Sequence, residues 1–180
     1  MSASEARFLR IFHLSLFTLL LLASFYWLTS SLLEYQRPAA NAYLAIAGGD
    51  YQLAATQLQQ YASAGDTKAN TSLANLYWLG LGVKQDYRQA ARLYSESARQ
   101  GDAAGMVNLG LMYRDGLGVK KDVELAYAWM NLGRELRNAG AQTYMSELLA
   151  SYGVKGNRVP ELLRLYPTIA NMPELSFAGD

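Results

Sequence analysis

Cysteine is absent from this 180-residue chain, and histidine occurs once, as His13. The first absence removes thiol catalysis, disulfide staples and thiolate metal sites together, so stability has to come from packing. The second removes Ser-His and Cys-His nucleophile pairs and any metal cluster of ordinary spacing. A lone imidazole at the head of an apolar stretch reads as interfacial or partner-facing. Charge of either sign is missing from Ile11 to Leu33. From Glu34 onward, 14 Lys and Arg stand against 14 Asp and Glu, which leaves no general attraction for phosphate backbones or anionic lipid. Nucleic acid is not an expected partner.

The uncharged stretch is long enough to matter. At about 1.5 Å per helical residue, about 20 residues cross the roughly 30 Å hydrocarbon layer, and residues 11–33 supply slightly more. A cleaved secretory signal would have a shorter apolar region with small residues just beyond it. Here Tyr26 and Trp27 sit where an aromatic belt is expected, and the first Ala-x-Ala pattern, Ala40-Asn41-Ala42, lies past Pro38. The segment reads as a transmembrane helix at 11–33 after a cytoplasmic N-terminus at 1–10. Ser15, Thr18, Ser24, Tyr26 and Trp27 are its candidate contacts with neighbouring helices and the interface. Arg7 and Arg10 before the span orient the remainder outward, to the periplasm of a bacterial inner membrane.

Beyond this segment the chain repeats itself. Gly80-Leu81-Gly82-Val83-Lys84-Gln85-Asp86 returns 36 residues later as Gly116-Leu117-Gly118-Val119-Lys120-Lys121-Asp122. Gly65-Asp66 meets Gly101-Asp102 in the same register, Leu73 meets Leu109, Tyr77 meets Tyr113 and Ala90 meets Ala126. One step earlier, Asp50, Tyr51, Ala54 and Ala62 fall on Asp86, Tyr87, Ala90 and Ala98, which marks a half-repeat.

Leu73, Leu76 and Tyr77 recur at helical spacing, which predicts an A helix over Thr67 to Leu79 closed by Gly80. Asp86 and Asp122 then stand where an N-cap oxygen takes the free amides of a B helix, running from Tyr87 to Arg99 and from Val123 to about Arg137. Pro38 to Ala47 is expected to be the A helix of an eroded first unit, turned at Gly48-Gly49. Ala139 to Ser151 is one more A helix, Gly153 to Gly156 a turn, and Pro160 to Leu165 a short closing helix. Each hairpin carries more apolar face than it covers alone, so neighbours must stack around one core.

The pattern Leu109-Gly110-Leu111-Met112-Tyr113, Gly116-Leu117-Gly118-Val119, and Asp122 through Ala126 to Trp129 resembles the Sel1-like repeat, a relative of the tetratricopeptide repeat (TPR). The earlier copy departs at Ala74 and Leu93, where the later one has Gly110 and Trp129. The resemblance covers about residues 50–137. It implies an all-α fold, a short right-handed α-solenoid over residues 38–166, preceded by the transmembrane helix and followed by a tail at 167–180. It also implies a protein-binding scaffold rather than an enzyme.

No catalytic motif stands out in the sequence. Gly80-x-Gly82 and Gly116-x-Gly118 lack the third glycine and preceding strand of a dinucleotide site, and no Gly-Lys-Ser/Thr follows. Glu96, Glu124, Glu135 and Glu147 read as solvated helix faces. No cofactor, metal or small-molecule substrate is expected. The expected partner surface is the concave side of the A helices: Lys68, Thr71, Asn75 and Trp78 on the first, then Ala104, Val107, Leu111 and Arg114 on the next. An aromatic anchor beside an arginine is the composition of a binding hot spot. The competing reading packs Trp78, Val107 and Leu111 between repeats or against the C-terminal segment. The tail, broken by Pro167 and Pro173, either frays or lies extended on a partner.

Two functions compete. The first is a membrane-anchored accessory or assembly subunit of a bacterial inner-membrane complex, respiratory or transport. The alternative is a periplasmic regulator that binds and inhibits a membrane sensor, and a cell-wall-acting enzyme is a remote third.

Overall fold

The computed structural model describes residues 18, 21–27, 29, 41–152, 164 and 172–178. The chain forms two compact units, Met1–Asn41 and Ala42–Asp180. In the first, residues 18, 21–27 and 29 are helical. Most of the expected span lies outside the described residues, and among those described no helix is long and apolar enough to cross a membrane.

In the second unit residues 42–47 are helical (α1) and are followed by Tyr51–Ser63 (α2), Thr67–Leu79 (α3), Tyr87–Arg99 (α4), Ala103–Asp115 (α5), Val123–Glu135 (α6) and Ala141–Tyr152 (α7). From α2 onward each helix packs on the next in sequence, as a stack of hairpins requires. The expected A and B helices at Thr67 to Leu79 and Tyr87 to Arg99 have those bounds. The eroded first unit ends in the expected turn, with Gly48 N–H donating to the Leu44 carbonyl at 2.9 Å and Asp50 N–H to Ala45 at 2.8 Å. α7 begins two residues later than expected, because Asn138 through Gly140 form its entry turn. The 153–156 turn and all of the closing helix except Arg164, which is helical, lie outside the described residues.

Five helices start on an aspartate. Asp50, Asp66, Asp86, Asp102 and Asp122 each accept a free first-turn amide, at 2.8–3.1 Å, and so satisfy donors that the helix itself cannot. Gly80 and Gly116 close α3 and α5 in the left-handed conformation, at φ 69° and 72°. After each of them the chain folds back, and Asp86 and Asp122 N–H return to the Tyr77 and Tyr113 carbonyls at 3.0 and 2.9 Å. The second glycine of each loop lets the array stack closely. A Cβ at Gly82 would fall on the Tyr51 carbonyl at the start of α2, and one at Gly118 on the Tyr87 carbonyl at the start of α4. Only hydrogen at that position lets loop and helix touch.

One core runs through the array. Leu58, Leu73, Tyr94, Met106, Leu109, Met112, Tyr113, Trp129 and Met130 are nearly free of solvent, and Ala90 and Ala126 allow the close helix approach expected of them. Where α5 and α6 cross, a Cβ at Gly110 would come within 2.8 Å of Met130 Cγ and 2.9 Å of the Ala126 carbonyl.

The described part of the tail, residues 172–178, is extended as one of the two expectations had it, but it lies on the chain's own array. Phe177 makes an antiparallel bridge with Val119, and Lys120 N–H donates to the Ser176 carbonyl at 2.8 Å. Arg99 Nη2 donates to the Pro173 carbonyl at 2.7 Å and lies 3.4 Å from Glu174. Met172 is 4% exposed, and burial of such a side chain contributes about 2 kcal/mol, enough to offset the ordering of one or two residues.

Candidate partner-docking face

The expected docking residues form two series one repeat apart on α3 and α5: Lys68 with Ala104, Thr71 with Val107, Asn75 with Leu111, and Trp78 with Arg114. The register is right, and the exposure divides them. Lys68 is exposed, while Asn75, Trp78 and Arg114 are partly exposed. Thr71, Val107 and Leu111 are buried, at 8%, 3% and 8% of their full exposure, so they hold helices together instead of facing a partner. Val107 belongs to the α5–α6 contact, where its Cγ2 would be 2.8 Å from a Cβ placed on Gly133. Trp78 is intermediate between the two readings, as its ring packs partly on the core.

Thr71 turns inward for a polar reason. Its hydroxyl lies 2.6 Å from Asp102 Oδ2 and 2.7 Å from Ser97 Oγ. Ser97, fully buried on α4, also reaches the Thr67 carbonyl at 2.9 Å and Asp102 at 3.0 Å. With one proton each, the two hydroxyls are satisfied when Thr71 donates to Asp102 and Ser97 to Thr67. The same Asp102 oxygen caps α5 through Gly105 N–H at 2.9 Å, so one carboxylate ties α3 to α5 beside the Ser97 hydroxyl of α4.

The side chains that remain outward are preset by neighbours. Asn75 Oδ1 accepts the hydroxyl of Tyr94, whose burial raises its pKa far above the ordinary tyrosine value. Arg114 donates through Nε and Nη2 to the two oxygens of Asp115, both at 2.7 Å, and its Nη1 stands 4.0 Å from Glu147 on α7. The Asp115 bond is the main reason that the guanidinium is held in its charged form more firmly than usual. A cleft of about 240 Å³ opens here between Arg114, Asp115, Glu147, Ser151 and Tyr152. Lys121 Nζ sits 4.6 Å above the Tyr152 ring. The repeat pattern gave no sign of these α7 residues because α7 departs from it, with Glu147 in the register of Leu111.

Of the anchor contacts, Ser15 lies outside the described residues. Thr18 and Ser24 are helical and exposed, and the Ser24 hydroxyl donates back to the Leu21 carbonyl at 2.8 Å. Tyr26 and Trp27 are 74% and 70% exposed in the described unit, beside the equally open Leu22 and Phe25.

Comparison with known proteins agrees with the geometry. The Sel1 repeat family matches residues 67–102 and 103–138. A Sel1 repeat protein from Oxalobacter formigenes superposes with a TM-score of 0.60 and 27% identity, over 74% of this chain and 54% of that one. A protective antigen of uropathogenic Escherichia coli strains, c5321, which displays an SLR fold, superposes with a TM-score of 0.51 and 24% identity, over 79% of this chain and 34% of that one. This chain thus spans about half and a third of those two structures. A comparison with curated proteins gave no match. Residues 67–138 match two Sel1 repeats, and the described residues of the second unit form an all-helical solenoid.

Proposed function

We propose that this Sel1-repeat array is a docking scaffold that performs no reaction, held at a bacterial inner membrane by residues 11–33. There it serves as an accessory or assembly subunit of an integral membrane complex, respiratory or transport, with the array on the periplasmic side. The observation that carries the docking role is the pairing of Trp78 and Arg114 at one register position of adjacent repeats. Each is partly exposed, and the arginine is already oriented by Asp115, so little ordering is left to be done on binding. Membrane tethering is supported by the uncharged length of the first segment, and by Leu22, Phe25, Tyr26 and Trp27 at 65–74% exposure, an apolar surface that water does not favour. Tyr43 and Leu44, 43% and 68% exposed on α1, continue that character shortly after the segment ends.

A photocrosslinker placed in turn at positions 78, 114 and 59 of the full chain tests this in native membranes. The expected result is one integral membrane protein captured from 78 and 114 and not from Gln59, which is exposed on α2. Migration in mild detergent as a lone monomer, with no adduct from either position, overturns it.

A further inference from the structure

The internal repeat gives the loop after α5 a counterpart one repeat away, the loop after α3. The loop after α5 holds the tail by a short antiparallel edge. Lys120 N–H takes the Ser176 carbonyl at 2.8 Å, Ala178 N–H approaches the Gly118 carbonyl at 3.5 Å, and Val119 beneath Phe177 is fully covered. The matching edge after α3 is Gly82-Val83-Lys84. Among the described residues neither the Gly82 carbonyl nor the Lys84 N–H has a hydrogen-bond partner, and Val83 is only partly buried. This edge borders a cleft of about 910 Å³, lined by Tyr77, Val83 and Lys84 from its own repeat and by Arg88, Arg92 and Gly118 beyond. Tyr77, Val83 and Lys84 are the repeat equivalents of Tyr113, Val119 and Lys120, so the cleft is the tail's seat moved back by one repeat.

We propose that this edge and cleft bind an extended peptide segment of a partner protein by strand addition, in the manner in which the loop after α5 holds residues 176–178. An aromatic residue would lie opposite Val83, the carbonyl before it would accept from Lys84 N–H, and the amide after it would donate to the Gly82 carbonyl. Backbone pairing supplies the hold and the cleft supplies the choice of side chain. The two seats differ in charge, and that difference fixes the ligand class. Arg88 and Arg92 line the open cleft, whereas their repeat equivalents are Glu124 and Ala128. Arg88 already steadies the tail, through the Ala178 carbonyl and the Phe177 ring 5.7 Å away, and Arg92 is paired with Glu96 only at the exposed surface. Asp86, the one carboxylate in the lining, is committed to the α4 cap. The partner segment is therefore acidic after its aromatic residue, where the tail has Ala178 and Gly179. Neither Trp78 nor Arg114 lines this cleft, and its test does not depend on them.

The probe is a fluorescein-labelled peptide with the sequence of residues 173–178 followed by three glutamates, titrated by anisotropy into the full chain in mild detergent. Binding in the range of about 10–100 μM is expected, weakened about tenfold or more by Lys84→Pro, which deletes the edge donor, and by Arg92→Glu. Lys120→Pro should leave it unchanged. No binding at 1 mM peptide, or loss with Lys120→Pro but not with Lys84→Pro, overturns the proposal, the second by showing displacement of the tail. Should Lys84→Pro fail to fold, the probe is remade with benzoylphenylalanine at its aromatic position and crosslinked to the unmodified chain. Adducts within residues 77–92 support the assignment, and adducts confined to any other segment refute it.

Discussion

Two seams of the array occupy equivalent places one repeat apart and are made of opposite materials. Between α3, α4 and α5 the contact is polar: Thr71, Ser97 and Asp102 share hydrogen bonds at 2.6–3.0 Å, and Gly105 leaves room for the Ser97 hydroxyl. Between α5, α6 and α7 the same positions are Val107, Gly133, Asn138 and Ala141. Valine replaces threonine at equal volume, and the small residue changes sides, from Gly105 on the A helix to Gly133 on the B helix. Ala141, in the place of Gly105, is fully buried. The backbone arrangement survives the exchange, so volume sets the fold here and hydrogen bonding sets how uniquely each seam is specified. The helix entry changes as well. Gly101 turns into α5 at φ 92°, while Arg137 must take φ 65° at the same point, the only non-glycine residue with positive φ among those described.

These differences can be broken one at a time. Asp102→Ala removes a cap and the acceptor of the buried Thr71 hydroxyl, which is left to share Ser97 Oγ, and should cost about 2 kcal/mol in urea unfolding. Asp66→Ala, which removes a cap alone, should cost about 1 kcal/mol. Equal losses would show that the polar seam adds nothing to capping. Gly133→Ser writes the polar seam's residue into the apolar one. Its Cβ would come within 2.8 Å of Val107 Cγ2 and 3.0 Å of the Ala103 carbonyl, and overpacking of this kind costs about 2 kcal/mol. A double variant, Gly133→Ser with Val107→Ala, should recover part of that loss if the clash is its cause. Arg137→Gly should stabilise the chain by about 1 kcal/mol, read as a rise in melting temperature, because it relieves the left-handed strain. The smallest effect is expected from Glu96→Gln. Its ion pair with Arg92 spans one helical turn with both side chains 42–51% exposed, so the change should stay below about 0.5 kcal/mol and shrink further in high salt.

Much of the fold was legible because the repeat states its own punctuation. Aspartate caps, left-handed glycines and an apolar pattern of helical period act within a few residues, so helix bounds at Thr67–Leu79 and Tyr87–Arg99 follow from local chemistry. The docking face was legible only in part. Helical spacing placed Lys68, Asn75, Trp78 and Arg114 on one register, but it also placed Thr71, Val107 and Leu111 there, and spacing within one helix does not reveal what the next helix covers. Thr71 is drawn inward by Ser97 and Asp102, which stand 26 and 31 residues away. The α7 contribution to the Arg114 cleft, and the seat of the tail, were hidden for the same reason.

The amino-acid order alone determined the hairpins, their number between Asp50 and Glu135, and the need to stack them, because capping and amphipathic period are properties of neighbouring residues. Tertiary structure decided which of the outward-register residues stay outward, and where the chain end lies. Met172 finds its pocket, and Arg99 its carbonyl acceptor 2.7 Å away, only after α4 and the loop after α5 have been brought together. Contacts between residues more than 70 positions apart, as between Arg99 and Pro173, depend on how the stacked surfaces meet, and no local pattern encodes that.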